Sequence, residues 1–301
     1  MNKIKIFLAT LVSLIIFTAC EDTAPFEYEK DHYIEGYLIV DNPIEKIKVM
    51  RTVPLNDKFT YQDAMIKSAD VTISTENKTF DLNYKSEPEP GFYYEDTTYK
   101  VKPETYYDLR VELQSGEVYT GRTRTPARFQ WKNDPVDKLY FPPNPEEYDD
   151  ISSLPNPPDS TKISWTRSGK VNFYIISVKC LDTANYGKYL SPPIQEKNKR
   201  TYKPWEGDEN YYKELTSTNF IANTKTPVVW FSFKWHGPHE VKVQAPDNNY
   251  LKWFLQYAGF DGDVYNPNLN TIKGGAFGVF GSTAEISQEM FLYKHEDNPD
   301  K

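Results

Sequence analysis

Cysteine is almost missing from this chain: only Cys20 and Cys180 occur among its 301 residues. Two cysteines exclude the multi-disulfide framework that stabilises many small extracellular domains. The domains must therefore be stable through apolar packing. The 23 Tyr, 17 Phe and 6 Trp residues can supply that packing, because aromatic side chains bury large areas. Cys180 ends an apolar strand pattern, which predicts a buried thiol.

Positive charge is also in short supply, with 35 Lys and Arg against 43 Asp and Glu and a net charge of −8. Nucleic-acid binding needs clustered cations that neutralise phosphates. The one dense basic run, at residues 197–203, is typical of a solvated loop. The composition therefore argues against nucleic acid as a partner, and it also disfavours adsorption to anionic lipid headgroups.

Long apolar segments are absent after the first twenty residues, and a membrane-spanning helix needs about 20 consecutive apolar residues. A shorter apolar run, at residues 6–17, follows a basic start and precedes two small residues. This order is typical of a secretory signal peptide. The basic and small positions are Lys3, Lys5, Thr18 and Ala19.

Cys20 directly follows this signal-peptide pattern. We predict that residues 1–19 are removed as a lipoprotein signal peptide, that Cys20 carries the lipid, and that residues 20–29 form a polar tether to the membrane. Two or more acyl chains on one cysteine give stable anchoring, whereas a single chain is marginal. An ordinary cleaved signal peptide followed by an incidental cysteine is the alternative.

Apolar and polar residues alternate in several segments of residues 30–127. In the first of them, Tyr33, Glu35 and Tyr37 share one face of a predicted strand. Seven short strands separated by turn residues predict a β-sandwich of the immunoglobulin-like or carboxypeptidase-regulatory-like kind. We place the first domain at residues 30–127.

Residues 128–295 are predicted to form a second β-rich, fibronectin-like domain. It includes a proline-rich loop at residues 139–159, because prolines at this density cannot lie in central strands. Residues 228–235 are apolar on both faces, which predicts a buried strand paired with residues 241–245. Residues 296–301 are polar and predict a flexible tail.

One amphipathic helix is predicted in this second domain. Asp247 can cap its N-terminus, and Gly259 can end it. Between them, Tyr250, Trp253 and Phe254 form an apolar stripe with helical spacing. We expect this stripe to pack against the second sheet, and a ligand-binding face is the alternative.

Aromatic residues in an irregular, polar segment are the candidate ligand-binding residues: Trp205, Tyr211 and Tyr212. A solvent-facing ring there can stack on a sugar or contact a partner. Paired tyrosines also have a structural explanation. In a strand, one member of a pair such as Tyr106 and Tyr107 must face the core.

Asp261, Asp263 and Asn266 are weak metal-binding candidates. They offer oxygen ligands in a short loop, and calcium prefers such ligands, but the spacing of an EF-hand loop is not met. His236 and His239 are predicted to lie in an ordinary turn, since zinc would need further ligands at defined spacing. No metal and no cofactor are predicted.

Catalytic motifs are not found in the sequence: there is no nucleophile elbow, phosphate-binding loop or His-Glu-x-x-His segment. A glycosidase would need two carboxylates about 5–10 Å apart, and the sequence alone does not bring two together. We therefore predict a protein that is not an enzyme and that has no catalytic residues.

Five segments together carry a family resemblance: IEGYLIVDNPIEKIKVMRTVP, ADVTIS, TYYDLRVELQSGEVYTGRTRTP, ISWT and GGAFGVFGS. With them the chain resembles the Bacteroidota lipoproteins grouped as domain of unknown function 4249. The resemblance implies an outer-membrane lipoprotein on the cell surface or the periplasmic face, often encoded beside a TonB-dependent receptor. It implies no catalytic residues.

The leading hypothesis is a non-enzymatic accessory or binding protein that works with a TonB-dependent β-barrel transporter in nutrient uptake, with a glycan or a peptide as ligand. Coplanar, solvent-facing aromatic rings would favour a stand-alone carbohydrate-binding lipoprotein instead. Two converging carboxylates in a pocket would favour an extracellular hydrolase. An unpaired edge strand would favour an adhesive role.

Overall fold

β-Strands make up most of the chain that the structure describes. The computed structural model describes residues 31–54, 57–142, 161–198, 215–257 and 270–297. The predicted mainly β class is confirmed. The strands are β1 (His32–Ile39), β2 (Lys48–Arg51), β3 (Asp70–Ser74), β4 (Thr79–Lys85), β5 (Gly91–Tyr93), β6 (Tyr106–Glu112), β7 (Val118–Arg124), β8 (Trp131–Asn133), β9 (Lys138–Tyr140), β10 (Lys162–Trp165), β11 (Tyr174–Cys180), β12 (Thr216–Ile221), β13 (Lys225–Pro227), β14 (Gly237–Pro246), β15 (Ile272–Lys273) and β16 (Phe277–Tyr293).

Helices are few among these residues. The α-helices are α1 (Tyr61–Ala64) and α2 (Asn248–Tyr257), and short 3₁₀ segments occur at Tyr186–Tyr189, Trp230–Ser232 and His295–Asp297. The predicted amphipathic helix is confirmed as α2. Its cap is the predicted one, since the Tyr250 backbone N–H donates to Asp247 Oδ1 at 2.8 Å. Gly259 lies outside the described residues.

One long sheet organises the molecule. It has the strand order β12-β11-β14-β16-β1-β2, with β9 paired to the far end of β16. β16 is 17 residues long. It pairs antiparallel with β14 along one edge, and parallel with β1 and then with β9 along the other. We call this seven-stranded sheet the long sheet.

Two hydrophobic cores lie on the same face of the long sheet. The first core lies between β1, β2 and the start of β16 on one side, and the six-stranded sheet β15-β7-β6-β3-β4-β5 on the other. There Ile34 and Phe280 from the long sheet pack in one cluster with Tyr107 and Leu109 from β6. Sheets that face each other across an apolar core form the predicted β-sandwich.

The second core uses the other half of the same face. Val241 and Val243 of β14 and Met290 of β16 pack in one cluster with Ile163 and Trp165 of β10. β10 belongs to a three-stranded sheet with the order β13-β10-β8. Even-numbered residues of β16 therefore serve both cores, because alternate residues of one strand share a face.

The boundary near residue 127 stays a prediction, but hydrogen-bonded pairing crosses it. β1, from the first half of the chain, pairs over seven positions with β16, from the second half. Ile272, Ala276 and Phe280 contribute to the first core although they come late in the sequence. The two halves therefore share a sheet as well as a chain.

The buried strand expected at residues 228–235 is not formed. Trp230–Ser232 is a 3₁₀ turn, and β14 pairs with β11 and β16 instead. Val228, Trp230 and Phe233 are all buried in the second core. The segment is apolar on both sides because it caps this core, and that packing overrides the strand preference of its aromatic residues.

The structure bears on two further expectations, the proline-rich loop and the buried thiol of Cys180. β9 reaches Tyr140, so the predicted proline-rich loop at residues 139–159 begins with a strand residue, and residues 143–160 lie outside the described part. Cys180 is buried, as predicted, with 3% of its surface exposed. Burial raises the pKa of its thiol to about 11, which makes it unreactive.

His239 is a deeply buried histidine that contacts the second core through Phe233. It lies on β14 rather than in the predicted turn, and it is 1% exposed. The Nδ1–H donates to the Gly237 carbonyl at 2.8 Å. Burial lowers its pKa to about 4, from 6.5, because the imidazolium would be poorly solvated.

We expect His239 to make the folded state sensitive to acid. Since its folded pKa lies below the unfolded value, its contribution is complete above pH 6.5 and is lost as pH falls toward 4. The full loss corresponds to about 3 kcal/mol. Urea unfolding at pH 7.5 and 4.5 should show a smaller drop for His239→Gln than for the wild type. His295→Gln is the matched control, and an equal drop in all three proteins would refute the assignment.

Candidate functional site

The face of the long sheet opposite the cores carries helix α2. Tyr33, Glu35 and Tyr37 project from β1 onto this outer face, because their neighbours Ile34 and Leu38 are fully buried in the first core. The predicted shared face of the three residues is therefore confirmed. What the sequence did not indicate is that α2 lies across it.

Two aromatic pairs join α2 to β1. The ring centroids of Tyr33 and Trp253 are 5.9 Å apart with an interplanar angle of 52°, and those of Tyr37 and Tyr250 are 4.9 Å apart at 51°. Both separations lie in the range of favourable aromatic pairs. These contacts fix the helix and the strand as two walls of one depression.

We call this depression the aromatic groove, and its volume is about 660 Å³. Phe59 and Tyr61, with ring centroids 5.1 Å apart, form its outer wall. They are 49% and 46% exposed, so the groove opens to solvent. The rest of the lining includes Met50, Arg51, Thr52, Val53 and Phe254.

Glu35 supplies a negative charge between the rings. Lys48 Nζ donates to Glu35 Oε1 at 3.4 Å and lies 4.3 Å from the ring centroid of Tyr61. The pKa of the Tyr33 hydroxyl is raised, first by burial and then by the charge of Glu35. The hydroxyl therefore stays protonated and can act as a hydrogen-bond donor. A carboxylate offers about four acceptor positions, so Glu35 can accept further hydrogen bonds from a ligand.

Gly281 explains how α2 approaches the sheet so closely. A Cβ at this position would lie 2.9 Å from the backbone N of Tyr250, which is closer than side chains approach backbone atoms. Gly281 pairs with Tyr37 in the β1–β16 register. The missing side chain therefore brings Tyr250 down onto Tyr37.

Asp247 fixes the start of α2 to both neighbouring sheets. Its Oδ1 accepts from the backbone N–H groups of Tyr250 and Ser282, at 2.8 and 3.0 Å, and its Oδ2 accepts from the Thr123 hydroxyl at 2.6 Å. Burial raises the pKa of this carboxyl, and the hydrogen bond from Thr123 is the largest opposing effect. The helix, β16 and β7 meet at this one carboxyl group.

The site residues named from the sequence lie outside the described part of the chain. They are Cys20, Trp205, Tyr211, Tyr212, Asp261, Asp263 and Asn266. The residues of the aromatic groove were not among them. The strand face at Tyr33 and the helical stripe at Tyr250 were each predicted, but the pairing of β1 with β16 is what brings the two together.

A second depression, of about 800 Å³, lies on the other side of α2 and is more polar. Tyr106 at its rim is 55% exposed, while Tyr107 is fully buried, as the alternation in a strand requires. Arg122 and Arg124 lie 5.2 and 5.8 Å from the Tyr106 ring centroid. Both arginines are also paired with carboxylates, Asp108 and Glu104.

Metal binding and membrane crossing can both be judged over the residues that the structure describes. No three His, Cys, Asp or Glu side chains in this part of the chain come close enough to hold a metal ion together. Nor does any helix in the described ranges combine the length and the apolar composition needed to cross a membrane.

The fold and the groove define a mainly β protein with a concave, aromatic-lined surface on its shared sheet. The chain belongs to the family described as "Domain of unknown function (DUF4249)", which matches residues 23–285. The resemblance predicted from the sequence is therefore confirmed. No curated protein matches the chain.

Solved structures show only a remote likeness. One is described as "Structural insight into host cell surface retention of a 1.5-MDa bacterial ice-binding adhesin"; it is 10% identical, with a TM-score of 0.21, over 88% of this chain and 65% of the other. Another, the chicken CNTN1 FN1-FN3 domains, is 12% identical, with a TM-score of 0.17, over 87% and 66%. The present chain thus spans just under two thirds of each of these chains.

Proposed function

We propose that this protein is a lipid-anchored, non-enzymatic binding protein of the outer membrane, and that it captures its ligand in the aromatic groove. It would serve as an accessory to a TonB-dependent transporter. The groove is the observation that supports a binding function. It combines concave shape, aromatic walls and a few placed polar groups, which is the usual composition of a small-molecule site.

The chemistry of the groove favours a sugar chain as the ligand. Pyranose rings have an apolar C–H face that stacks on aromatic rings, and Tyr61 and Trp253 offer such rings in the lining of the groove. Their hydroxyl groups need charged or polar partners. Glu35, Arg51 and Thr52 lie in the same lining and can supply these hydrogen bonds.

The arrangement of charges supports binding over hydrolysis. Hydrolysis of a glycosidic bond requires two carboxylates that converge on the bond. Glu35 is the one carboxylate in the described lining of the groove, and it is engaged by Lys48. Neighbouring rings meet at about 50° in the two pairs that join α2 to β1, so a groove around a single chain is favoured over a flat platform.

The proposed lipid on Cys20 would keep the groove close to the membrane. Eleven residue spacings separate Cys20 from Asp31, the first residue described. Fully extended, they span at most about 40 Å. Tyr33 follows two residues later, so the groove would lie close to the membrane surface in which a transporter is embedded.

The groove is tested by removing its aromatic wall. We expect Trp253→Ala to weaken retention on neutral polysaccharides several-fold, up to about tenfold, since a stacked aromatic ring contributes on the order of 0.5–1.5 kcal/mol. Glu35→Gln should weaken it less, because the amide keeps one acceptor. Affinity electrophoresis in gels that contain xylan, laminarin, mannan or dextran measures the effect.

Tyr106→Ala is the matched control, because it removes an exposed ring that lies outside the groove. It should bind as the wild type does. Thermal melting of each variant shows whether the fold is kept. The proposal is wrong if the wild type is not retarded by any of the four polysaccharides, or if Tyr106→Ala and folded Trp253→Ala lose retention equally.

A further inference from the structure

One edge of β16 is interrupted in the middle of the long sheet. Along its first edge, β14 pairs with every residue from Thr283 to Leu292. Along its second edge, β1 pairs with residues 277–283 and β9 with residues 291–293. Residues 284–290 have no strand beside them on this second edge within the described ranges.

The direction of the backbone groups in this gap follows from its two ends. The Thr283 carbonyl accepts from the Val40 N–H at 2.9 Å, and the Phe291 N–H donates to the Asp137 carbonyl at 2.8 Å. Odd-numbered residues therefore point their backbone groups toward the gap, and even-numbered ones, such as Ser282, point toward the β14 edge.

Three residues are left with both backbone groups facing the gap: Glu285, Ser287 and Glu289. None of their outward N–H or C=O groups has a hydrogen-bond partner among the described residues. We call these three residues the open segment of β16. Exposed strand edges of this kind can pair with an added strand. Pairing with β1 before the gap, with β9 after it and with β14 on the first edge keeps the open segment extended.

The side chains around the open segment are mostly acidic, and they favour an added strand that carries positive charge. Glu289 lies directly opposite Glu240 on β14, and like charges in opposed positions destabilise a sheet. Lys242 lies 3.7 Å from Glu240 and 3.5 Å from Glu285, so it is shared between these two. Glu289 forms no ion pair within the described residues, and a basic side chain beside it would compensate its charge.

We propose that the open segment of β16 binds an extended peptide segment of a partner protein, about five residues long, with lysine or arginine at alternate positions. Its backbone would satisfy the outward groups of Glu285, Ser287 and Glu289. Its basic side chains would lie on the outer face, next to Glu285 and Glu289. This docking site is separate from the aromatic groove and does not depend on what the groove binds.

The test uses a fluorescent peptide, Val-Lys-Val-Lys-Val-Lys-Val, and its counterpart with Glu in place of Lys. We expect fluorescence anisotropy to show binding of the lysine peptide only. Ser287→Pro should lower its affinity at least tenfold, because proline removes an N–H that faces the gap and leaves the β14 pairing intact. Hydrogen exchange at Glu285, Ser287 and Glu289 should slow when the peptide is bound.

Two charge variants keep the test decisive if Ser287→Pro does not fold. Glu289→Lys should weaken binding of the lysine peptide several-fold. Glu76→Lys makes the same change in net charge at an exposed position outside the long sheet, and it should bind as the wild type does. Equal binding of the two peptides, equal loss in the two charge variants, or unchanged exchange at the three amides would overturn the proposal.

Discussion

Gly278→Ala is expected to lower the free energy of unfolding by more than about 4 kcal/mol, which is a large part of the 5–15 kcal/mol typical of folded domains. Gly278 has φ +131°, where residues with a side chain are strained. A Cβ there would also lie 1.8 Å from the Ile34 carbonyl oxygen. Alanine can be accommodated only if β1 moves away from β16.

Gly275→Ala separates the effect of backbone strain from the effect of the close contact with Ile34. Gly275 also has a positive φ, +103°, but a Cβ there meets no atom within 4 Å. We expect it to cost only backbone strain, about 1–2 kcal/mol. Urea denaturation followed by tryptophan fluorescence measures both variants. If their midpoints agree within error, close contact with Ile34 does not determine the stability of the shared sheet.

Cys20→Ala is expected to abolish fatty-acid labelling and to yield a protein that is either soluble or left unprocessed. Two or three acyl chains contribute about 0.8 kcal/mol per buried methylene, and no helix within the described ranges could replace them. Labelling cells with an alkyne fatty acid, followed by carbonate washing of the membranes, measures both effects. Processed mutant protein that still resists washing would show that the anchor lies elsewhere.

Cys180→Ala is the matched control for the anchor. It removes the other cysteine of the chain, whose thiol is buried in the fold. This variant should keep both the label and the membrane association. The same strains test the transporter partnership: a β-barrel protein should co-purify from detergent extracts with the wild type and with Cys180→Ala. Its absence from the wild-type extract would remove the transporter from the proposed function.

Local structure was predicted well from the sequence. The alternation in β1 and β6 and the helical stripe of α2 are set by residues close together in the chain, and the predicted elements and the residues that share a face are found in the structure. The strand predicted at residues 228–235 is wrong, because aromatic residues with strand preference are also suited to a turn that caps a core. The backbone conformation of this segment depends on the packing of Trp230 and Phe233 in the second core, and a local sequence pattern does not predict that packing.

The aromatic groove could not have been assembled from the sequence. Its walls come from residues 33–61 and 250–254, and they meet because β1 pairs with β16. An alternating pattern specifies which face of a strand is buried, but it does not specify the partner strand. The strand gap beside Ser287 has the same origin, since it depends on where two distant strands stop.

The pairing of β1 with β16 also sets an order of events in time. His32 is made long before residues 277–283, and its strand must wait for them before the pairing of β1 with β16 can form. Contacts between such distant positions form late and slow the folding of a chain. Until they form, Tyr33, Glu35 and Tyr37 have no helix opposite them. The groove is thus completed only after residues 277–283 have been made and have paired with β1.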